Sequence, residues 1–528
     1  MLNTHFNIDD LKGRKMIFTN HKEITEKNVL EVLQEAMILH EDNRKQIKFL
    51  LDYEKGIQPL RREKKIRSDI DIKVCDNVAN QVTEFKLGYN WGNPITYIQR
   101  GNKDIAENNP DSDDNGISTL NELNDLEAVY AKDQELARYV EITGIGYQFI
   151  DINVDKGDDR MFELQTLNPL YTFCIYNNGL GCKKVAGVTY SKDSLENKYF
   201  TVFTPKRRFE IKNEIQIVNG EKKGSEWSNA QGSGELNPLG KIPIVEFIRG
   251  YDRMGCFERQ ISDMDALNIE VSDFANNVSQ DVQNLWWGND FEFPKDPETG
   301  KVKKPEAGQW IMTNTVSNGT KPSIQALQSQ FDYVGVQANI ESKRNLILQK
   351  CYVPLQSDPG GGSTASAMSM SSGWSAAEAS ACKEEQIIRR AKMEVVELEL
   401  LAISKSGKTK PNDPILNLKV SDIQPKFTRN KTFDLATKSN SFVTLINAGV
   451  DGRVAMQTVD LFADVAQAWN DSKEMIEKYQ KSLISKDTAS NSNQNSVQRI
   501  QSDESDQIGN SPILDGMNTE TGDSDVNA

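Results

Sequence analysis

Carboxylates are the side chains of this sequence with the clearest potential for chemistry. In the stretch 257–286 they recur between apolar residues at helical spacing, and Arg259 is the one basic residue there. Spaced carboxylates could bind a divalent metal ion and support hydrolysis, but on one helix they also form an ordinary exposed polar face. The acidic residues concerned are Glu258, Asp263, Asp265, Glu270, Asp273 and Asp281.

The histidines and cysteines do not group into a catalytic or metal site. The three histidines, His5, His21 and His40, all lie near the start of the chain. The six cysteines are far apart and include no CxxC pair, which argues against a zinc site and against a disulfide framework. We therefore expect reduced thiols, no metal, no cofactor and no enzymatic activity.

A glycine-rich stretch, "PGGGSTA" at 359–365, superficially resembles a phosphate-binding loop. A P-loop needs a lysine followed by Ser or Thr after its last glycine, and no lysine follows here. The surrounding stretch 353–374 contains no Lys or Arg and lies between two strongly helical patterns. We interpret it as a flexible, nearly uncharged loop.

The elements that would position these residues begin with a mixed N-terminal part. Apolar periodicity predicts helices over Thr25–Tyr53, Val74–Leu87 and Leu120–Val140. Alternating patterns between turn residues predict strands at 95–98, 199–204 and 208–217 and hairpins over 144–167 and 171–190. Residues 1–250 therefore form a mixed α+β unit with antiparallel hairpins.

The remainder of the chain is mainly helical. Two long helices, Phe257–Trp286 and Gln328–Gln349, are predicted on either side of a proline-rich insert with a turn at Glu298–Gly300. A third helix, Trp374–Ser404, has an apolar seam that alternates steps of three and four residues. Beyond it we expect one or two strands in 415–429, helices at Thr432–Asn447 and Val454–Ala468, and a disordered acidic tail at 486–528.

The charge and hydropathy of the chain exclude several classes of protein. The net charge is -15 with a pI of about 5.0, whereas a protein that binds phosphates tightly should be basic. The sequence has no run of eighteen apolar residues, and its start lacks the apolar core of a signal peptide. We expect a cytosolic protein without a membrane segment, which contacts nucleic acid only if the nucleic acid must pass without sticking.

Several stretches, in their order along the chain, resemble the portal proteins of tailed bacteriophages, in particular the Bacillus siphophage branch. The similar stretches are "LLDYEKGIQPLRR" (50–62), "IKVCDNVANQVTEFKLGYNWGNPITY" (72–97), "LGKIPIVEFIRG" (239–250) and the spacings Asp265–Asn268 and Ser272–Asn276. Within the second stretch the matching positions are Asn77, Ala79, Lys86, Gly88, Tyr89, Gly92 and Pro94. Downstream of the glycine-rich loop only Ser372 and Gly373 fit the family pattern.

The resemblance implies a phage portal fold that assembles as a ring, usually of twelve copies, at one capsid vertex. Its parts would be an α+β wing, two stem helices, a clip, a tunnel loop and a crown. The implied divisions are wing 1–250, first stem helix 251–287, clip 288–327, second stem helix 328–352, tunnel loop 353–373, long wing helix and returning strands 374–431, crown helices 432–485 and tail 486–528.

The resemblance also assigns roles to three sets of residues. The acidic residues of 257–286 would line a channel that repels phosphate, so that double-stranded DNA slides through it. The small and flexible residues of the tunnel loop would face the DNA, namely Ser357, Gly360, Gly361, Gly362, Ser363, Thr364, Met368 and Met370. The clip would contact partners through Lys295, Lys301, Lys303 and Lys304.

A portal would serve packaging and ejection of the viral genome as a non-enzymatic channel. Its implied partners are further copies of itself, double-stranded DNA, the terminase motor, the major capsid and scaffolding proteins and the head–tail adaptor. It would reside in the virion, and in the host cytoplasm during assembly. Two alternatives remain open from the residues alone: a minor head or scaffold-type coiled-coil structural protein, and a metal-dependent nuclease that uses the acidic helix.

Overall fold

The structure is a computed structural model in which the chain forms two compact units, Met1–Asn430 and Lys431–Ala528. The residues it describes are 11–60, 70–99, 116–218, 221–230, 234–282, 285–289, 291–292, 298–301, 314–315, 323–327, 332–355, 373–429, 435–459 and, between 462 and 478, residues 462, 468, 469, 472, 474–476 and 478.

Helices and antiparallel sheets both contribute to the first unit, which confirms the expected α+β class. Its helices within the described ranges are α1 Val29–Glu54, α2 Val78–Asn90, α3 Ile117–Leu126, α4 Val129–Thr143, α5 Ile261–Val282, α6 Tyr333–Lys350 and α7 Trp374–Lys405. Its strands are β1 Ile17–Thr19, β2 Thr96–Gln99, β3 Ile145–Ile152, β4 Phe162–Leu167, β5 Thr172–Asn177, β6 Lys184–Lys192, β7 Lys198–Phe203, β8 Arg207–Val218, β9 Glu221–Asn229, β10 Glu235–Leu236, β11 Ile244–Ile248, β12 Leu285–Asn289, β13 Phe291–Glu292, β14 Asn314–Thr315, β15 Ser323–Leu327 and β16 Ile423–Lys426.

The largest sheet has seven strands in the order β1-β5-β6-β7-β8-β10, and β9 also pairs with β8. Its strands pair antiparallel except β1, which runs parallel to β5. Helix α1 covers one face, because Val29, Val32, Leu33 and Ala36 recur at three- and four-residue steps and pack against the sheet's aromatic residues. The hairpin and strands predicted over 171–217 are therefore confirmed.

Helix α1 begins later than expected. The sequence predicts Thr25 as the N-cap, whereas the helix starts at Val29 with Asn28 at the N-cap position. The amide of Thr25 donates to the Asn28 side-chain oxygen at 2.7 Å. That bond folds residues 25–28 into a turn, so the helix cannot start before it.

A three-stranded sheet, β11-β3-β4, lies under α4 and α7 and holds the main core of the unit. The predicted hairpin over 144–167 is confirmed by the antiparallel pairing of β3 with β4. The predicted single helix Leu120–Val140 is wrong, because Ala128 has φ of 53° and separates α3 from α4. The buried carboxylate of Glu127 accepts the Leu164 amide at 2.9 Å, and this inward turn breaks the helix.

Helix α7 confirms the prediction of a long helix with a regular apolar seam. The seam residues are all buried in the main core: Ile388, Ala391, Val395, Leu398 and Ala402. After α7 the expected strands in 415–429 reduce to one, β16, which pairs with β2. The residues before it form the 3₁₀ turns Pro414–Asn417 and Val420–Asp422.

The first long helix is shorter than predicted. It runs over Ile261–Val282 as α5, and a 3₁₀ turn, Glu258–Gln260, precedes it. Leu285 and Trp286, expected to be helical, belong instead to β12, which forms an antiparallel ladder with β15. Aromatic residues favour strands, and the adjacent glycine at 288 disfavours a helix, so the chain changes conformation here.

The structure describes the insert and the second unit only in part, so the predictions for them can be compared with it only there. A turn is present at Glu298–Gly300, where Gly300 has φ of 65°, and short strand pairs flank it as expected of the insert. In the second unit, α8 Leu435–Asn447 ends at the residue predicted for the first helix, and α9 Gly452–Val459 starts two residues before the predicted start of the second. The glycine-rich loop from 356 to 372 and the tail at 486–528 lie outside the described residues.

Candidate functional site at the root of the long helix pair

Helices α5 and α6 form an antiparallel pair. Contacts that advance along α5 move backwards along α6. Lys350 Nζ lies 2.6 Å from Asp263, and Lys343 contacts Glu270. Farther along, the rings of Phe274 and Tyr333 are 6.0 Å apart. The β12–β15 ladder joins the far ends of the two helices. The chain therefore leaves the sheets along α5 and returns along α6.

Glu258 does not belong to an exposed acidic face, which corrects the expectation from the sequence. Its side chain is fully buried in the turn before α5 and pairs with the guanidinium of Arg14. Its second oxygen accepts the amide of Gly255 at 2.8 Å. A carboxylate held in this way cannot line a channel.

The acids on α5 itself have partners within the chain. Asp263 and Glu270 pair with lysines of α6, and both pairs are partly exposed to solvent. Asp265 accepts the hydroxyl of Tyr53 at 2.8 Å, and burial together with this carboxylate raises the pKa of Tyr53. Asp273 is half-buried, and Asp281 lies in the last turn of α5 with its side chain outside the described set. Whether these acids face DNA stays a prediction.

The carboxylates that the structure describes do not assemble into a metal site. No group of three or more His, Cys, Asp or Glu suited to a metal ion occurs in the described part of the chain. The six cysteines, all described, are free thiols, and burial raises the pKa of Cys351 to about 11. Burial lowers the pKa of His40 to about 3, and the His40 ring stacks on Phe173.

A ladder of buried polar side chains fastens the extended segment 70–77 to α5. Asn268, Ser272 and Asn276 follow one another at four-residue steps and are each at most 1 % exposed. The amide of Asp76 donates to Asn268 at 2.8 Å, and that of Val74 donates to Ser272 at 3.0 Å. Asn276 accepts the Ile72 amide at 2.8 Å and donates to the Ile72 carbonyl at 3.0 Å.

The ladder provides hydrogen-bond partners for the backbone of segment 70–77, which pairs with no strand in the described residues. Each such bond contributes on the order of 1 kcal/mol, but a buried amide left without its partner costs more. The predicted helix start at Val74 is wrong for this reason. The backbone up to Asp76 is extended against α5, and α2 begins at Val78 with Asn77 as its N-cap.

Three of the four regions that carry the portal resemblance meet at this ladder, namely 50–62, 72–97 and the spacings on α5. Gln58 Nε2 donates to the Tyr53 carbonyl and to Asn77 Oδ1, both at 3.0 Å. Asn268 in turn donates to Gln58 Oε1 at 2.6 Å, and Asn77 Nδ2 donates to the Glu54 carbonyl at 2.8 Å. Residues far apart in sequence thus form one connected hydrogen-bond network.

A second network joins the start of α7 to α2 and to the sheets. Lys86, a position of the resemblance, is buried, and its ammonium lies 3.4 Å from Ser380 Oγ and 4.0 Å from Glu384. Arg249 contacts Glu384 and donates to Glu141 at 3.0 Å. Burial raises the pKa of Glu141, and Arg249 opposes that rise. Sequence periodicity did not indicate this cluster, because its members come from four separate elements.

Most of the other predicted site residues cannot be placed. The tunnel-loop residues Ser357, Gly360, Gly361, Gly362, Ser363, Thr364, Met368 and Met370 lie outside the described residues, as do Lys295, Lys303 and Lys304. Lys301 is described and exposed, directly after the turn of the insert.

Most of the chain matches one family of known proteins. None of the helices in the described ranges combines the length and apolar character needed to cross a bilayer. No curated protein matches the chain. The family described as phage portal protein, SPP1 Gp6-like, matches residues 38–482, which is most of the chain. The chain therefore belongs to this family of phage portal proteins.

Proposed function

We propose that twelve copies of this chain form a ring at one vertex of the capsid, through which double-stranded DNA enters during packaging and leaves during ejection. The observation that carries the proposal is the antiparallel pair α5–α6, which is fixed at its root by the Asn268–Asn276 ladder, in a chain that belongs to a portal family. In this ring α5 and α6 are the stem, residues 1–250 and α7 are the wing, and 288–327 is the clip.

Exposed apolar side chains on α6 favour the proposal that neighbouring copies surround the stem. Val334 is 80 % exposed and Leu346 is 50 % exposed, although α6 already packs on α5. A helix that is apolar on more than one face needs more than one neighbour. Adjacent subunits of a ring would cover these faces.

The charges of the stem favour a channel that does not bind DNA tightly. The lysines of α6, Lys343 and Lys350, are neutralised by Glu270 and Asp263. A wall with compensated cations offers few fixed contacts to phosphate, so a duplex would slide along it. The tunnel-loop residues named above would contact the duplex inside this wall, and Glu258 is no longer part of the proposal.

The remaining partners follow the same proposal. The clip, with the exposed Lys301, would dock the terminase motor and later the head–tail adaptor, and the wing would meet the major capsid and scaffolding proteins. The chain would act without catalysis, in the host cytoplasm during assembly and in the virion afterwards.

Electron microscopy of the purified chain and a packaging assay test the proposal. We expect negative-stain images of closed rings of twelve copies with a central hole. The double variant Asp263→Asn, Glu270→Gln releases two lysines in the stem and should slow DNA packaging. The matched control Glu23→Gln, Glu26→Gln releases Lys206 and Arg207 on the wing and should not.

The outcomes separate the two parts of the proposal. A wild-type chain that stays monomeric contradicts the ring. Rings whose packaging rate responds equally to both double variants contradict a DNA-facing stem, because the same charge change then acts regardless of its position.

A further inference from the structure

Residues 11–19, which we call the N-terminal strap, run between the large sheet and the start of α5. At one end β1 extends the large sheet by pairing with β5. In the middle Asn43 of α1 accepts the Lys15 amide and donates to the Lys15 carbonyl, both at 2.8 Å. At the other end the Arg14 amide donates to the Arg253 carbonyl at 3.1 Å, in the connection between β11 and α5.

Arg14 is the charged contact of the strap with the stem. Its residue is 2 % exposed, although arginine is rarely buried unless it is paired. One guanidinium nitrogen contacts Glu258, and the other donates to the Thr143 carbonyl at 3.0 Å, at the end of α4. Arg14 thus links the first turn before α5 to the wing helix behind it.

The connection between β11 and α5 is held closely on both sides. The amides of Arg249 and Cys256 donate to the Gly144 carbonyl at 3.1 Å and the Glu141 carbonyl at 2.7 Å. Gly13 has φ of 80°, and a Cβ there would lie 2.0 Å from the Asp252 carbonyl oxygen. Only glycine therefore permits the strap to approach this connection so closely.

The strap precedes residues 38–482, which the portal-family model matches. We propose that the strap sets the angle between wing and stem, and that Arg14 is its positioning residue. Glu258 stands at the root of α5, so the ion pair fixes where the stem leaves the wing. In a ring, this angle decides how many subunits close the circle, and this consequence rests on the proposed function.

Two variants and one matched control test the strap. Arg14→Met removes its buried ion pair, and Gly13→Ala displaces the strap without changing a charge. Lys392→Met removes another buried ion pair, that with Asp133 inside the wing, and controls for general destabilisation. Hydrogen exchange of the unassembled subunit and negative-stain counts of assembled rings are the two measurements.

We expect both strap variants to lose protection at amides 255–262 by about tenfold or more relative to amides of β8. Lys392→Met should not lower the protection of 255–262 relative to β8, which Lys392 does not contact within the described residues. Assembled strap variants should give rings of mixed size or open arcs, whereas Lys392→Met rings should keep one size.

Each part of the proposal can be contradicted separately. Unchanged relative protection in Gly13→Ala overturns the strap, even if Arg14→Met does not fold. Rings of one unchanged size in both strap variants overturn its control of the angle. Absence of rings in the wild-type chain contradicts the proposed function instead, and the exchange experiment still decides whether the strap holds the root of α5.

Discussion

The wing and the stem hold their charged residues in opposite ways. In the wing core Lys392 is fully buried and contacts Asp133 and Gln148, and the neighbouring Glu399 is fully buried as well. In the stem the pairs Lys343–Glu270 and Lys350–Asp263 are all partly exposed. Buried pairs are costly to break and define one arrangement, whereas exposed pairs contribute little.

The apolar residues differ in the same direction. The seam of α7 is enclosed by α4 and the sheet β11-β3-β4, so the wing completes its core within one subunit. Helix α6 buries Ile347 and Leu348 near its root but exposes Val334 at its far end. The difference fits the proposed ring, in which each wing has its own complete core and neighbouring subunits would cover the outer stem.

The largest effect should come from Lys392→Met in the wing. The substitution leaves the buried Asp133 with Gln148 Nε2 at 2.8 Å but without its cation, at a cost of about 3–5 kcal/mol. Lys343→Met in the stem should cost less than about 1 kcal/mol, because that pair is partly exposed. Thermal unfolding of the two variants measures both, and equal costs would remove the distinction between wing and stem.

The root of the stem should resemble the wing rather than the outer stem. Ser272→Ala removes the side-chain partner of the partly buried amide and carbonyl of Val74, which should cost about 1–3 kcal/mol. The control Ser262→Ala, at an exposed position of the same helix, should change stability by less than about 0.5 kcal/mol. Denaturant titration distinguishes them, and a Ser272→Ala variant as stable as its control would show that the ladder is not needed.

Glu399 makes the stability of the wing depend on pH. Burial raises its pKa from 4.5 to about 8, Asp133 adds to the rise, and Lys392 opposes it. Between these values the folded chain retains a proton that the unfolded chain releases, so the free energy of unfolding falls as pH increases. Glu399→Gln should flatten that fall, by at most about 1.4 kcal/mol per pH unit.

Unfolding midpoints at pH 5 and pH 8 measure the slope for the wild-type chain, Glu399→Gln and the control Glu163→Gln on β4. The comparison uses the slope because the buried side-chain amide that Glu399→Gln introduces changes the absolute stability at both pH values. A slope that Glu399→Gln leaves as steep as in the control would contradict a protonated carboxyl in the wing core.

The smallest effect on the single chain should come from Val334→Asp in the outer stem. An exposed valine contributes little to the stability of a monomer, so the change should stay within about 0.5 kcal/mol. The yield of rings should nevertheless fall, because the new charge would be buried against a neighbour. Val154→Asp, at a wing position that is 72 % exposed, should alter neither quantity.

How much the sequence predicts depends on how local the cause is. The seam of α7 and the hairpin β3–β4 follow from apolar periods within one segment, and both were predicted. The break at Ala128 and the late start of α2 were not, because Glu127 and segment 70–77 are bound by partners elsewhere in the chain.

The candidate site shows the same limit more sharply. The spacing of Asn268, Ser272 and Asn276 is visible in the sequence and belongs to the family resemblance, but their backbone partners could not be derived from it. Arg14 and Glu258 are separated by 244 residues, and no period connects them. The sequence pattern alone therefore groups Glu258 with the acids of the helical face, although its partner lies near the start of the chain.

The ladder between β12 and β15 has a mechanical consequence. Its pair Leu285–Leu327 lies next to the helices, and the pair Asn289–Ser323 lies farthest from them. Both strands join the helices at the Leu285–Leu327 end, so a force that separates α5 from α6 would open the ladder one pair at a time from that end. Opening the pairs one at a time needs less force than shearing all of them at once. This short ladder would therefore open easily when the two helices are pulled apart.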